Sequence, residues 1–368
     1  IISRLLQRLD ILQTKEDGIF PKGSFPTYRT YALKKQRQKA DINPFFTGLI
    51  GFTLEDLKSE FSPYQHELAN KIIHQSFSAY PKFKNRNADR NTYNFWPTDT
   101  PRIFTYSGWL NLFNKKRALP DDLDDTVILL MAQRKSDSIA KEVHDLMQGY
   151  TNNEEKKISN TFPEYKKIGA YSTWFGKKMP VDFDISVLCN VLYFVQFYNL
   201  TWTAADSASL FLIEDMIKTK KHINYSNYVS PHYVTVPNIL YHISRLMALK
   251  PIPPLEKLKP QLIEDAKVAL STSTVFMDQV ILGTSLLRWG VKPPVINLGN
   301  SSDTKFINMV EDEKFCFFIA SMASMLPDSW KKRMTKLKIG TFYYYCPAYN
   351  HLLLLEHLVL NKKHSMLQ

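Results

Sequence analysis

The sequence is poor in glycine, with 12 among 368 residues, and in cysteine, with three. Cys189, Cys316 and Cys346 are odd in number and far apart, which argues against a disulfide framework and points mildly to a reducing compartment. No Gly-rich phosphate loop and no Gly-x-Ser-x-Gly nucleophile elbow occurs. Long apolar runs are missing too: Val187–Tyr198 and Leu352–Leu360 are too short for a bilayer span or carry a charge. No secretory signal is read at the start, and Ile1 in place of methionine leaves a processed or trimmed N-terminus open. Strictly alternating strand patterns do not recur. Zinc-finger, RNA-binding-sheet and basic-zipper motifs are absent, which argues against nucleic acid as a partner.

What is present is a large apolar fraction, 44 % hydrophobic and 13 % aromatic, ample for a folded core. The net charge of +12 is concentrated at Lys34-Lys35-Gln36-Arg37, Lys115-Lys116-Arg117, Lys218–Lys221 and Lys331–Lys338. Such clusters suit an anionic membrane surface or a phosphorylated substrate, and equally suit plain solvated faces. The expected location is cytoplasmic, with peripheral membrane association left open, as is a partner subunit.

Helical periodicity runs through the chain. It predicts helices over Ile2–Leu12, Asn43–Lys58, Tyr64–Ala79, Asp121–Gln133, Ser136–Met147, Asp182–Tyr198, Ala204–Lys218, Ser230–Ala248, Leu255–Ala269, Thr274–Trp289, Glu311–Met325 and Ala348–Leu360. The 20 prolines fall between these windows. Pro44, Pro120, Pro180, Pro231 and Pro347 each stand at an expected helix entry, where a missing N–H and a fixed φ do no harm. Very apolar windows alternate with amphipathic ones at roughly 50- to 75-residue intervals, the pattern of a helical-hairpin repeat. The expected fold class is therefore all-α, an (α/α)6 toroid with apolar helices inside, and an open solenoid as the alternative. Residues 1–368 are expected to form one toroid domain, with 1–40 as a helix and loop wrapping the ring.

One stretch breaks the ordinary electrostatic pattern. Asp121-Asp122-Leu123-Asp124-Asp125-Thr126 sets four carboxylates within five residues, ahead of the apolar run Val127–Ala132. Like charges this close need an answering cation, a proton held by a raised pKa, or a helix dipole. In a ring the inner-helix entries share one face, so the cluster would meet Asp182 and Asp184, with Phe45, Phe46, Tyr228, Tyr233 and Tyr343–Tyr345 nearby.

The stretch Asp122-Leu123-Asp124-Asp125-Thr126 resembles the Asp-x-Asp-Asp-Thr motif of class II terpene cyclases, the squalene–hopene and diterpene cyclase superfamily of α/α toroids. The resemblance covers the motif and the hairpin architecture. It implies that Asp124 is the general acid protonating an isoprenoid alkene, supported by Asp122 and Asp125. The substrate would be a small isoprenoid, such as a prenyl diphosphate. No cofactor is required for class II chemistry, and no metal ligand is expected; Mg²⁺ enters only if a diphosphate is bound. Substrate-contacting candidates are Asp121, Asp182, Asp184, Phe46, Trp96, Tyr233 and Tyr344. Such an acid must be dry and protonated, and the cation it creates is stabilised by aromatic faces. The Gln-x-x-x-Gly-x-Trp repeats common in triterpene cyclases are not found, and the chain suits one helical domain where those enzymes use two.

Three other readings fit the same residues. Asp121-Asp122-Leu123-Asp124-Asp125 also satisfies Asp-Asp-x-x-Asp, a Mg²⁺–diphosphate pattern, although Asp182-Phe183-Asp184 does not match the expected second acid motif. A carbohydrate-active toroid would use Asp124 and Asp184 as an acid–base pair roughly 6.5–9.5 Å apart, with Trp96, Trp174 and Trp202 stacking on sugars. A non-catalytic module would use Asp121 or Asp122 only to cap the helix. No Asp-x-Cys pair supports a zinc prenyltransferase relative, and His351, His357 and Cys346 make no persuasive zinc set.

Overall fold

The computed structural model describes residues 1–86, 90–100, 102–103, 118–152, 158, 161–176, 179, 181–296, 298 and 304–367. The basic cluster Lys115-Lys116-Arg117 and the expected entry residue Pro180 lie outside these.

The chain is mainly helical. In order, the helices are α1 (Ile2–Leu12), α2 (Phe45–Leu57), α3 (Pro63–Ser76), α4 (Leu123–Ala132), α5 (Asp137–Met147), α6 (Ile185–Phe197), α7 (Ala204–Lys218) and α8 (Lys221–Asn224). There follow α9 (Ser226–Val229), α10 (Val236–Leu249), α11 (Pro253–Glu256), α12 (Lys259–Thr272), α13 (Phe276–Arg288), α14 (Thr304–Val310), α15 (Asp328–Leu337) and α16 (Pro347–Leu367).

Every residue of α4 is buried, as are all but the last of α6, so neither helix can lie on a surface. Helices apolar all round must be enclosed by others. Accordingly α2 packs on α4, α4 on α6, α6 on α10, α10 on α13, α13 on α16, and α16 returns to α2. The amphipathic helices lie against this cycle: α3 on α2, α7 on α6, α12 on α10 and α13, and α1 on α16. A buried His144–Asp206 pair, 3.0 Å apart, ties α5 to α7. No helix among the described residues is long and apolar enough to cross a membrane.

An all-α chain is not what forms. Among the described residues there are six strands: β1 (Thr27–Tyr31), β2 (Lys34–Asp41), β3 (Asp121–Asp122), β4 (Trp174–Phe175), β5 (Phe318–Ser321) and β6 (Thr341–Tyr345). They make a four-stranded antiparallel sheet in the order β2-β1-β6-β5 and a two-stranded one, β3-β4. The window Glu311–Met325, expected as a helix, holds β5 followed by a 3-10 turn at Met322–Met325. Its apolar run is short and aromatic, and periodicity alone cannot separate such a run from a buried helix. The window expected from Ser230 becomes helical only at Val236, with Thr235 as cap and Pro237 in the first turn. Pro231 thus sits in the preceding turn.

The strands gather where the central helices begin. β2 runs into α2, β6 into α16 and β3 into α4. β5 is tied to the segment before α10 by Ile319 N–H donating to the His232 carbonyl at 2.9 Å. That end of the helical cycle is therefore roofed by sheet and loop.

Candidate functional site

The acid run straddles a strand and a helix entry, and its four carboxyls part company there. Asp121 and Asp122 pair with Phe175 and Trp174 across β3-β4. The Asp121 carboxylate accepts from Asn85 Nδ2 at 2.5 Å and Thr92 Oγ1 at 2.6 Å, holding the loop that precedes Trp96. Asp122 is the N-cap of α4 and accepts from Asp125 N–H at 2.7 Å. A cap in extended geometry with its oxygen on the third backbone N–H is what a short acid at a helix entry provides.

Asp124, one residue into the first turn, points elsewhere. Its Oδ1 accepts from Asn190 Nδ2 of α6 at 2.6 Å, and its Oδ2 accepts from the Tyr233 hydroxyl in the segment before α10. Asn190 in turn accepts from Arg245 of α10. The entry of α4, the middle of α6 and the segment before α10 therefore converge on one carboxyl.

Burial raises the proton affinity of the whole group. Asp124 is pushed up to about 6 by burial, against the opposing hydrogen bonds of Tyr233 and Asn190. Burial raises Asp122 and Asp125 first; at Asp122 hydrogen bonds from Asp125 oppose the rise and the charges of Asp124 and Asp121 add to it, whereas the Asp122 charge raises Asp125 further. Asp125 Oδ1 has no hydrogen-bond partner among the described residues.

Asp122, Asp124 and Asp125 all border one narrow slot, largely apolar in lining, with a cavity volume of about 20 Å³. Its aromatic walls are Phe45, Phe95, Trp96, Trp174, Phe318 and Tyr344, with His232 beside them. Phe318 lies at the centre of this wall, its ring centroid 4.8 Å from Phe45, 5.3 Å from Phe95 and 5.4 Å from Tyr344. The wall is largely apolar and aromatic.

Several other candidates fall outside the wall. Asp184 caps α6, accepting from Ser186 N–H at 2.8 Å, Val187 N–H at 3.3 Å, Ser230 Oγ at 2.6 Å and His232 N–H at 2.8 Å. Asp182 lies 3.6 Å from both His232 Nε2 and the buried Lys331 Nζ. Burial pulls the His232 imidazole down, but Asp182 and Asp184 outweigh it and leave it raised. Phe46 packs behind Phe45 and against Tyr349, 5.1 and 5.3 Å away. Tyr233 reaches Asp124 without bordering the slot, whereas Trp96 and Tyr344 border it. Much of the surface charge is paired: Lys218 with Glu214, Lys220 with Asp265, Lys221 with Glu164 and Lys332 with Asp328.

Sequence reasoning assigned no site role to Asn190, Arg245 or Phe318. The signal for Asn190 and Arg245 was a polar side chain in the middle of an apolar helix, which is unfavourable unless it is partnered. Phe318 was hidden by the mistaken helix.

A divalent cation does not fit the acid run as folded. Asp121 turns to Asn85 and Thr92, Asp122 to its own helix, and Asp124 to Asn190 and Tyr233, so the oxygens diverge. Among the described residues no three His, Cys, Asp or Glu side chains form a metal-holding group. Set beside known proteins, the chain matches no family model and no curated protein.

Proposed function

We propose that this chain is an (α/α)6 toroid enzyme resembling a class II terpene cyclase, with Asp124 as the general acid that protonates an isoprenoid alkene. The observation that carries the proposal is the meeting of three buried carboxyls of raised proton affinity with a slot walled by six aromatic rings. The cyclic packing α2-α4-α6-α10-α13-α16 supports the toroid.

In the proposed reaction an alkene π pair takes the proton from Asp124, leaving a carbocation on the substrate and a carboxylate on the protein. A second alkene of the same chain attacks the cation and closes a ring. Loss of a proton from the final cation leaves an uncharged hydrocarbon portion and restores the acid, an isomerisation with no net proton consumed. Asp122 and Asp125 keep a proton close to Asp124, and Asn190 and Tyr233 hold its oxygens. The rings of Phe45, Trp174 and Phe318 exclude water and stabilise positive charge. The slot is narrow, so binding a prenyl chain requires these side chains to part. The substrate is taken as an isoprenoid such as a prenyl diphosphate, processed without a resident cofactor. A cytoplasmic location with peripheral membrane contact would suit that substrate.

A glycoside hydrolase using Asp124 and Asp184 is less well supported, because four hydrogen bonds commit the Asp184 carboxylate to the α6 entry. A Mg²⁺-dependent class I enzyme is opposed by the diverging oxygens of the acid run. The test is incubation with farnesyl and geranylgeranyl diphosphate, with and without Mg²⁺, followed by product analysis. Cyclic product from the wild type and none from Asp124→Asn is expected. A folded protein that turns over no isoprenoid would sink the proposal, and Asp124→Asn retaining full activity would remove Asp124 as the acid.

A further inference from the structure

We infer that Arg245 is a positioning residue that fixes the direction of the Asp124 proton, acting through Asn190. The inference rests on the reading of Asp124 as proton donor and adds the device that keeps its proton available.

The argument is one of hydrogen-bond polarity. A guanidinium carries donors only, so the Asn190 oxygen has to face Arg245. The Asn190 NH₂ group is then turned to Asp124 Oδ1, which it reaches at 2.6 Å. A proton on Oδ1 pointing at Asn190 would meet another hydrogen and is excluded. Oδ2 faces the Tyr233 hydroxyl, which has no other hydrogen-bond partner among the described residues. Buried as it is, that hydroxyl has to donate, so Oδ2 also receives a hydrogen. Both protein-facing directions are filled, and the proton of Asp124 is left with the direction toward the slot it borders. Without Arg245 the Asn190 amide is free to rotate by half a turn. Its oxygen would then accept the Asp124 proton and hold it away from the slot.

The setting of Arg245 fits this role better than a packing role. It is 6 % exposed, makes no ion pair among the described residues, and lies 5.6 Å from each of the Phe52 and Tyr241 ring centres. Its Nη1 has no hydrogen-bond partner among the described residues. A buried guanidinium without a carboxylate partner is strongly unfavourable for folding, and an apolar side chain would fill the same space more stably. The other ionisable groups around Asp124 are Asp122 and Asp125 on α4, Asp184 at the α6 entry, and His232 and Tyr233 before α10. None of these hydrogen-bonds to the Asn190 side chain among the described residues.

The test reads Asp124 directly, without substrate, in the whole protein. Infrared difference spectra between wild type and Asp124→Asn isolate the Asp124 carboxylic-acid C=O stretch, followed from about pH 4 to about pH 9. Arg245→Met is expected to move that band to lower wavenumber, as the proton becomes trapped on Asn190, and to raise its titration midpoint by about one pH unit. Arg245→Gln keeps a donor toward Asn190 but no charge, so the band should hold its place while the midpoint still rises. In an Asn190→Leu background, Arg245→Met should no longer move the band. A wild-type band and midpoint in folded Arg245→Met overturns the inference. Should Arg245→Met fail to fold, Arg245→Gln carries the test, and a band displaced to lower wavenumber there overturns it equally. Failure here leaves the cyclase reading standing, whereas normal bands without any cyclised product sink the cyclase reading alone.

Discussion

Replacing Asp124 with asparagine should make the protein more stable at neutral and alkaline pH while abolishing its chemistry. In the folded chain the Asp124 carboxyl titrates at about 6, against an ordinary value of 3.8 for an exposed aspartate. Below both values folded and unfolded chains each hold the proton, and the group makes no difference. Between them the folded state keeps a proton that the unfolded state has lost, so stability falls as pH rises and the loss is complete above the folded value. A displacement of about two pH units, at 1.36 kcal/mol each, amounts to about 3 kcal/mol. Asparagine can accept from Asn190 and face Tyr233 with the same outline but cannot ionise. The difference in unfolding free energy between Asp124→Asn and wild type should therefore grow by about 3 kcal/mol between pH 4 and pH 8. Urea unfolding at the two pH values measures it, with unchanged denaturant slopes as the control that both proteins unfold alike. Parallel stability–pH curves would refute the claim that burial holds a proton on Asp124, and the proposed acid would lose its physical basis.

Other expectations are equally direct. Tyr233→Phe removes a hydrogen bond that lowers the Asp124 pKa, so the alkaline limb of the pH–rate profile should move to higher pH; a limb that stays or moves down contradicts the assigned contact. Asp184→Ala strands four buried donors at the entries of α6 and α10, and urea melts should register a loss of about 3 kcal/mol or more. A loss under half of that would mean the cap is dispensable. Gly176→Ala places a methyl 2.9 Å from the rigid Pro120 ring, forcing apart the β3-β4 approach to the acid run. Thermal unfolding should show destabilisation by about 1–3 kcal/mol, and unaltered stability would show that this junction yields freely.

The helical skeleton could be read from the sequence because its causes are local. The apolar runs of α4 and α6 carry no polar face, and α5 and α7 carry one, so which helices had to be enclosed followed from side-chain order. The raised proton affinity at Asp122, Asp124 and Asp125 was also implicit, since adjacent acids at an apolar helix entry must be either protonated or partnered. The strands were not legible. Phe318–Ser321 and Thr341–Tyr345 lack alternation because they pair with each other and pack on the helix entries, so neither face is cleanly polar.

Tertiary structure also assigned the roles within the acid run, which sequence treated as one cluster. Asp121 is committed to a loop by the Asn85 and Thr92 side chains, Asp122 to a cap by its own helix, and Asp184 to a second cap that also holds Ser230 and His232. Asp124 alone is met by Asn190 and Tyr233, 66 and 109 residues away along the chain. Charge density is a property of neighbours in sequence and was visible there. The direction in which each carboxyl points depends on partners supplied by other helices, and only packing brings those together.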